Sequence, residues 1–546
     1  MNTHVQLEQT TARNQMQRDR GSFALQFTQG LHRSLQTTPD KVATICDGRR
    51  QIFRLLADRV ARFAAALRSL GVRSGDPVAI LSFNSDRYLE FYLTCPWIDA
   101  LAVPLNFRWS TEEVIHALND CSAKILLVGE GFSESIHAIR AACPAITHIV
   151  HCGTSTLPEG CLDYELLIED HDPVPDLMAG GDQPYGIFYT GGTTGKSKGV
   201  ILSHANILSS AMGILGEGLF AEGAVGLHVA PMFHLADMMM TSCLLLRGGT
   251  HIMLPAFRPD MVCKLIEDHH ITDLLMVPTM VQMLLDHADF ASTNKESLRS
   301  LVYGASPASE VLIDRVLGEL PSLNLSQIYG MTESAATISI LRPVDHREGR
   351  GTGQLRSAGR SFCHARIRIA GPDGVEAAIG EVGEILVRGP MVMQGYWGKV
   401  EATTDAIKDG WLHTGDLGYI DEGGFVFIVD RSKDMIISGG ENIFSIEVEN
   451  AIAAHPAVVS VGVIGVPSER WGESVHAVVV LQPDVHLTLE ELIAHCRERI
   501  AGYKCPRSME VVVNLPISSA GKLLKTELRK AHAEKVKAVQ AQGASV

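Results

Sequence analysis

Tyr189-Thr-Gly-Gly-Thr-Thr-Gly-Lys-Ser-Lys-Gly199 follows an apolar run and packs backbone amides, hydroxyls and two lysines into eleven residues. That combination suits a polyphosphate. Gly191, Gly192, Gly195 and Gly199 let the main chain come close to a ligand, while Thr190, Thr193, Thr194 and Ser197 donate hydrogen bonds beside Lys198. The preceding Gly186-Ile-Phe-Tyr189 reads as a short buried strand, so the loop is expected to leave a sheet edge as phosphate loops do. A Walker A loop needs Gly five residues before its Gly-Lys pair, and position 190 is Thr, so a P-loop kinase or ATPase is excluded by spacing.

Working outward, a chain of 546 residues is too long for one simple core and implies at least two bodies. Hydrophobic residues at 46% and charged residues at 20% describe an ordered globular protein. A formal charge of −15 argues against a nucleic-acid groove, which needs clustered Lys and Arg. Met1 to Gly21 holds no apolar stretch of signal-peptide length, and the eleven cysteines form no Cys-x-x-Cys pair, so free thiols in a reducing cytoplasm are expected. The apolar windows 236–246 and 274–285 fall short of the ~20 residues that a spanning helix needs, so no transmembrane segment is expected. His269 and His270 are adjacent rather than helically spaced and do not read as metal ligands.

Leu56, Val60, Phe63, Leu67 and Leu70 recur every three or four residues and predict an amphipathic helix within 53–72, followed by a strand over 76–82. Ser110 and Glu113 form a capping-box pattern that starts a second helix, and 124–128 follows as another strand. This alternation implies an α/β fold with parallel sheets covered by helices. Gly-Pro-Asp-Gly turns between short apolar runs mark a small β-rich subdomain over 371–387. After the strand-like 424–429, the charged Asp430-Arg-Ser-Lys-Asp434 marks a boundary, beyond which a βαβ rhythm restarts with 458–466 and 475–481. The expected organisation is a flexible segment over 1–21, a large composite domain over 22–430, a hinge over 431–434, a small α+β domain over 435–530 and a flexible tail over 531–546.

Eight motifs in order carry a resemblance that spans most of the chain. They are 189–199, Pro231-Met-Phe-His234, Gly304-Ala-Ser-Pro307, Tyr329-Gly-Met-Thr-Glu333, Thr414-Gly-Asp416, 431–434, Gly439-Gly-Glu-Asn442 and Gly521-Lys522. Together they resemble the adenylate-forming superfamily of acyl-CoA synthetases, firefly luciferases and peptide-synthetase adenylation domains. The resemblance implies an ATP- and Mg²⁺-dependent carboxylic acid:CoA ligase that works through an acyl-adenylate, and the apolar candidate pocket wall, which no charged residue clearly marks, suggests a medium- or long-chain fatty acid or an aromatic or alicyclic acid. The alternative is a stand-alone enzyme that loads the acyl group onto a carrier protein. A free carboxylate repels nucleophiles and has a poor leaving group, and attaching AMP solves both problems. Bringing two anions together then demands Mg²⁺, a lysine and oriented N–H donors.

In the resembled family the loop Thr190, Gly191, Gly192, Thr193, Thr194, Gly195 and Lys198 holds the β- and γ-phosphates. Thr332 would contact the α-phosphate, Glu333 would bind the metal, and Lys522 would bridge carboxylate and α-phosphate. Gly304, Ala305 and Ser306 would line the adenine slot with Tyr329, Gly330 and Met331, while Asp416 and Arg431 would hold the ribose. His234, Met238, Tyr303 and Met331 would shape the acyl pocket. Gly439, Gly440 and Glu441 would pass the pantetheine arm of CoA, and Lys433 would be the hinge. The partners implied are the acid, ATP and CoA, with a homodimer left open. Three departures stand out: Asp430 replaces the Gly that commonly precedes the boundary arginine, Ser445 stands where Pro is common, and 517–520 lacks the Lys-Thr often seen before Gly-Lys.

Overall fold

A computed structural model describes residues 24–190, 197–306, 308–431, 434–438, 441–468, 470–517 and 523–543, without the side chains of 442 and 537–543. Backbone contacts divide the chain into two compact units, Met1–Ile367 with Val387–Leu412 and Arg368–Leu386 with His413–Val546.

The first unit holds two large, mainly parallel sheets. One has nine strands, and its central run Val42–Cys46, Thr250–Met253, Val225–His228, Asp273–Met276, Ser300–Gly304 and Asn324–Tyr329 is parallel throughout. The other has eight strands, with Pro184–Thr190, Leu101–Pro104, Pro77–Leu81, Ile125–Val128 and His148–His151 parallel in that spatial order. Strands such as Pro77–Leu81 and Ile125–Val128 are buried at every position, which is why they are continuous apolar runs without alternation. Helix Phe53–Ser69 buries Leu56, Val60, Phe63 and Leu67, the stripe its sequence period predicts. Helix Thr111–Cys121 begins with the expected capping box: Ser110 Oγ accepts from Glu113 N, and Ser110 N donates to a Glu113 carboxylate oxygen at 2.8 Å.

Helix Asp86–Trp97 is buried along its whole length, an environment that tolerates charge only when charges pair. Accordingly Asp86 pairs with Arg49 at 2.7 Å, and Glu90 accepts from Arg59 at 2.7 Å and from Tyr164 Oη at 2.6 Å. The window 236–246 forms most of helix Leu235–Arg247, and 274–285 divides into the end of a strand and helix Pro278–Leu285. Among the described residues no helix is long and apolar enough to cross a membrane.

The expectation for the phosphate loop needs correction. Strand Pro184–Thr190 is an interior strand, not an edge strand, and it pairs with the antiparallel Lys198–Ser203, Thr190 opposite Lys198, while 191–196 lie outside the described residues. A helix does follow, but only after this second strand, capped by Ser203 and Asn206.

In the second unit, strands Val458–Ser468 and Gly472–Leu481 pair directly as a long antiparallel hairpin. The expected βαβ rhythm is therefore wrong at this point, because the few residues between them cannot hold the crossover that parallel pairing requires. Strand Ser508–Val511 supplies the parallel neighbour instead. Residues 531–543, expected to be a frayed tail, continue helix Lys525–Gly543.

Candidate functional site

Strands Ser300–Gly304 and Asn324–Tyr329 are adjacent and parallel, with Gly304 opposite Ile328. Gly304-Ala-Ser306 and Tyr329-Gly-Met-Thr-Glu333 therefore leave the carboxyl edge of one sheet side by side, where open α/β sheets bind ligands. Ala305 adopts φ +66°, a left-handed conformation unusual for a residue with a side chain. At Gly330 a Cβ would overlap the Ala336 carbonyl, so no other residue fits without moving the backbone. Met331 N donates to Ser334 Oγ at 3.2 Å, closing the short turn Thr332–Ser334 that carries Thr332 and Glu333.

Glu333 is 7% exposed, and Tyr396 Oη donates to its Oε1 at 2.9 Å. The same phenol ring lies under the Lys198 ammonium, 4.9 Å from Nζ to the ring centroid. Tyr396 reaches this place because strand Gly395–Tyr396 pairs with Lys198–Ser203, placing it opposite Val200. Burial, and then the Glu333 carboxylate, push the Tyr396 hydroxyl well above its ordinary range, so it stays a donor. The sequence reading missed Tyr396. Only the register of a strand formed far along the chain reveals it. A largely buried carboxylate held by a neutral donor beside a phosphate-type hairpin fits a Mg²⁺ ion shared with phosphate oxygens. Of the expected phosphate-loop residues, Thr190 and Lys198 are placed here, whereas Gly191, Gly192, Thr193, Thr194 and Gly195 lie outside the described residues.

His234 is the N-cap residue of helix Leu235–Arg247, and its carbonyl accepts from Met238 N at 3.1 Å. Its ring lies 4.1 Å from that of Phe233, which in turn meets Phe107 edge-on at 5.2 Å. Met238 is fully buried beside Met239 and Met240, so this stretch serves as packed wall. Tyr303 is also buried, and its hydroxyl meets His346 Nε2 at 2.9 Å.

In the second unit Asp416 and Arg431 are cross-strand partners, with Arg431 Nε 3.1 Å from Asp416 Oδ1. The two residues expected at the ribose thus form an ion pair. Glu441 is exposed on strand Glu441–Ile443, while Lys433, Gly439, Gly440 and Lys522 lie outside the described residues.

Two of the three departures from the family pattern prove to be partners. Asp430 Oδ2 accepts from both the backbone N and the Oγ of Ser445, the latter at 2.8 Å. Lys525 Nζ donates to Ser445 Oγ and pairs with Glu449 at 2.7 Å. Asp430 and Ser445 are cut off from water and Glu449 is partly buried, and burial raises both carboxyl pKa values against the opposing pull of Lys525. A Gly at 430 and a Pro at 445 would leave neither acceptor nor N–H, so the two changes stand or fall together.

The chain matches the AMP-binding enzyme family over residues 31–397 and the AMP-binding enzyme C-terminal domain over 447–522. A feruloyl-CoA synthase from an Amycolatopsis species is 40% identical over 500 residues, covering 91% of this chain and 97% of that protein. Among solved structures, the o-succinylbenzoate CoA synthetase of Bacillus subtilis, in complex with its acyl-adenylate intermediate, is 32% identical with a TM-score of 0.81, covering 92% of this chain and 97% of that one. ATP-bound MatB from Rhodopseudomonas palustris is 28% identical with a TM-score of 0.84, covering 93% and 99%.

Proposed function

The chain belongs to the AMP-binding enzymes, as an AMP-forming acid–thiol ligase of their acyl-CoA synthetase branch, and on that premise we propose that it activates an aromatic or longer fatty acid through the residues described above. The convergence of Lys198 and Glu333 on Tyr396 carries this reading, because it brings a cation and a carboxylate from distant motifs to the end of the Gly/Thr hairpin. In the first half-reaction an oxygen of the substrate carboxylate attacks the α-phosphorus of ATP, and the bond to pyrophosphate breaks. Lys198 and Thr190, with the intervening loop, hold the departing phosphates, and Thr332 donates to the α-phosphate. Lys522 neutralises the charge gathering between carboxylate and phosphate. Glu333 would hold Mg²⁺, which would supply charge neutralisation to the phosphates. Gly304, Ala305 and Ser306 border the adenine, and Asp416 with Arg431 takes the ribose hydroxyls. In the second half-reaction the CoA thiol attacks the acyl carbonyl and AMP leaves, with Gly439 and Gly440 admitting the pantetheine arm.

Phe107 and Phe233 offer flat apolar surface, and the nearby Asp237 side chain is fully buried with one carboxylate oxygen 2.8 Å from His228 Nδ1, away from a substrate amine. The similarity to a feruloyl-CoA synthase points the same way. The free thiols, ten of them buried, support a place in the reducing cytoplasm. Pyrophosphate release measured over a panel of hydroxycinnamates, arylacetates, fatty acids, acetate and amino acids tests the reading. Aromatic or longer fatty acids are expected to lead the panel in the presence of CoA. Activity confined to amino acids, or acyl transfer to a carrier protein but not to CoA, would overturn it.

A further inference from the structure

Strand Gly472–Leu481 carries His476, the parallel strand Ser508–Val511 carries Glu510, and helix Lys525–Gly543 carries His532. One imidazole nitrogen of each histidine and one oxygen of Glu510 all lie within 4.8 Å of one another. His476 is 3% exposed, and its Nδ1 shares a 2.7 Å hydrogen bond with Ser508 Oγ, the residue opposite it in the strand register. That bond fixes the ring, and its other nitrogen, Nε2, is buried with no hydrogen-bond partner. An unsatisfied buried nitrogen is costly and calls for an explanation.

We propose that His476, Glu510 and His532 form a divalent transition-metal site, suited to Zn²⁺, that staples the C-terminal helix to the sheet of the second unit. Two imidazoles and a carboxylate are a zinc ligand set, with bonds of about 2.0–2.2 Å. As in metal-bound histidines, one nitrogen of His476, Nδ1, is engaged by a neighbouring oxygen, which leaves Nε2 available to an ion. His532 and Glu510 are only partly buried, so small rotamer changes can draw the three donors in around an ion. The Lys535 ammonium rests against Glu510, and being 61% exposed it can swing into solvent when a metal takes the carboxylate. The site does not depend on the acid assigned above.

The test uses full-length protein stripped with a chelator and titrated with Zn²⁺ alone, metal content being read after dialysis and thermal stability alongside. Co²⁺ serves as a spectroscopic probe of tetrahedral coordination. One equivalent of zinc, a visible Co²⁺ band and a zinc-dependent rise in melting temperature are expected for the parent protein. His532→Ala, on a helix that accepts alanine readily, and Glu510→Gln should each weaken zinc binding by roughly tenfold or more, at least the loss typical of an outer-shell change. Cys363→Ser, which removes the exposed thiol, should leave it intact. Parent protein that takes up no zinc at micromolar free metal, or His532→Ala and Glu510→Gln proteins that bind as tightly as the parent, would overturn the site.

Discussion

At the scale of single residues, Tyr396 concentrates two interactions that the motif residues cannot make alone. Its hydroxyl holds Glu333, and its ring face supports Lys198. Tyr396→Phe keeps the ring and removes only the hydroxyl, so the effect should fall on the carboxylate. A hydrogen bond to a charged group contributes about 1.5–3 kcal/mol, and pyrophosphate exchange should slow by roughly tenfold or more, with a higher Mg²⁺ requirement. Exchange kinetics measured against Mg²⁺ concentration check this, and an unchanged metal dependence would remove Tyr396 from the site.

Among elements, the strand that ends at Arg431 and the helix Ser445–Ala453 are tied by the Asp430–Ser445 hydrogen bonds, with Lys525 and Glu449 closing the buried cluster. Removing one partner strands the others away from water. Asp430→Ala should therefore destabilise the second unit by about 1–3 kcal/mol, and Ser445→Ala should do so in the same direction. The double variant should cost less than the sum, with a coupling on the order of 0.5–3 kcal/mol. Urea unfolding of the four proteins measures that coupling, and strict additivity would mean that the two departures are unrelated.

For the whole molecule, buried histidines shape the response to acid, His204 and His346 among them. His204 Nδ1 accepts the Phe27 N–H, and His346 Nδ1 donates to the Arg342 carbonyl while its Nε2 meets the Tyr303 hydroxyl, so both rings are held neutral. Burial brings both pKa values down from 6.5 to about 4. The unfolded chain then binds these protons more readily than the folded one, so the stability is present above pH 6.5 and is lost as pH falls toward 4. A melting temperature that declines through this interval, less steeply in His346→Gln, is the expected result. A profile that stays flat, or a His346→Gln profile as steep as the parent's, would contradict it. Catalysis should also divide at this scale. Lys522→Ala should abolish acyl-adenylate formation yet leave thioester formation from supplied acyl-AMP, and Gly440→Leu should do the reverse, because a branched side chain obstructs the pantetheine arm without touching the phosphates. Equal loss of both half-reactions in either variant, measured by pyrophosphate exchange and by CoA-dependent turnover, would defeat the division.

By itself, the sequence determined whatever depends on neighbours a few residues apart. Ser110 with Glu113 marked a helix start, and the order of eight motifs marked an adenylate-forming ligase. Those signals rest on local geometry, which a short segment carries with it wherever it folds. The tertiary structure alone decided that Thr190 and Lys198 are cross-strand neighbours, that 458–481 is antiparallel, that Tyr396 meets Glu333, and that Asp430 and Ser445 are a pair. It also brought His476, Glu510 and His532 together, residues with no spacing motif to announce them. Each of these outcomes depends on which strands become neighbours and in what register, and that is settled by the burial of whole faces against one another, a property of the folded chain that no local segment contains.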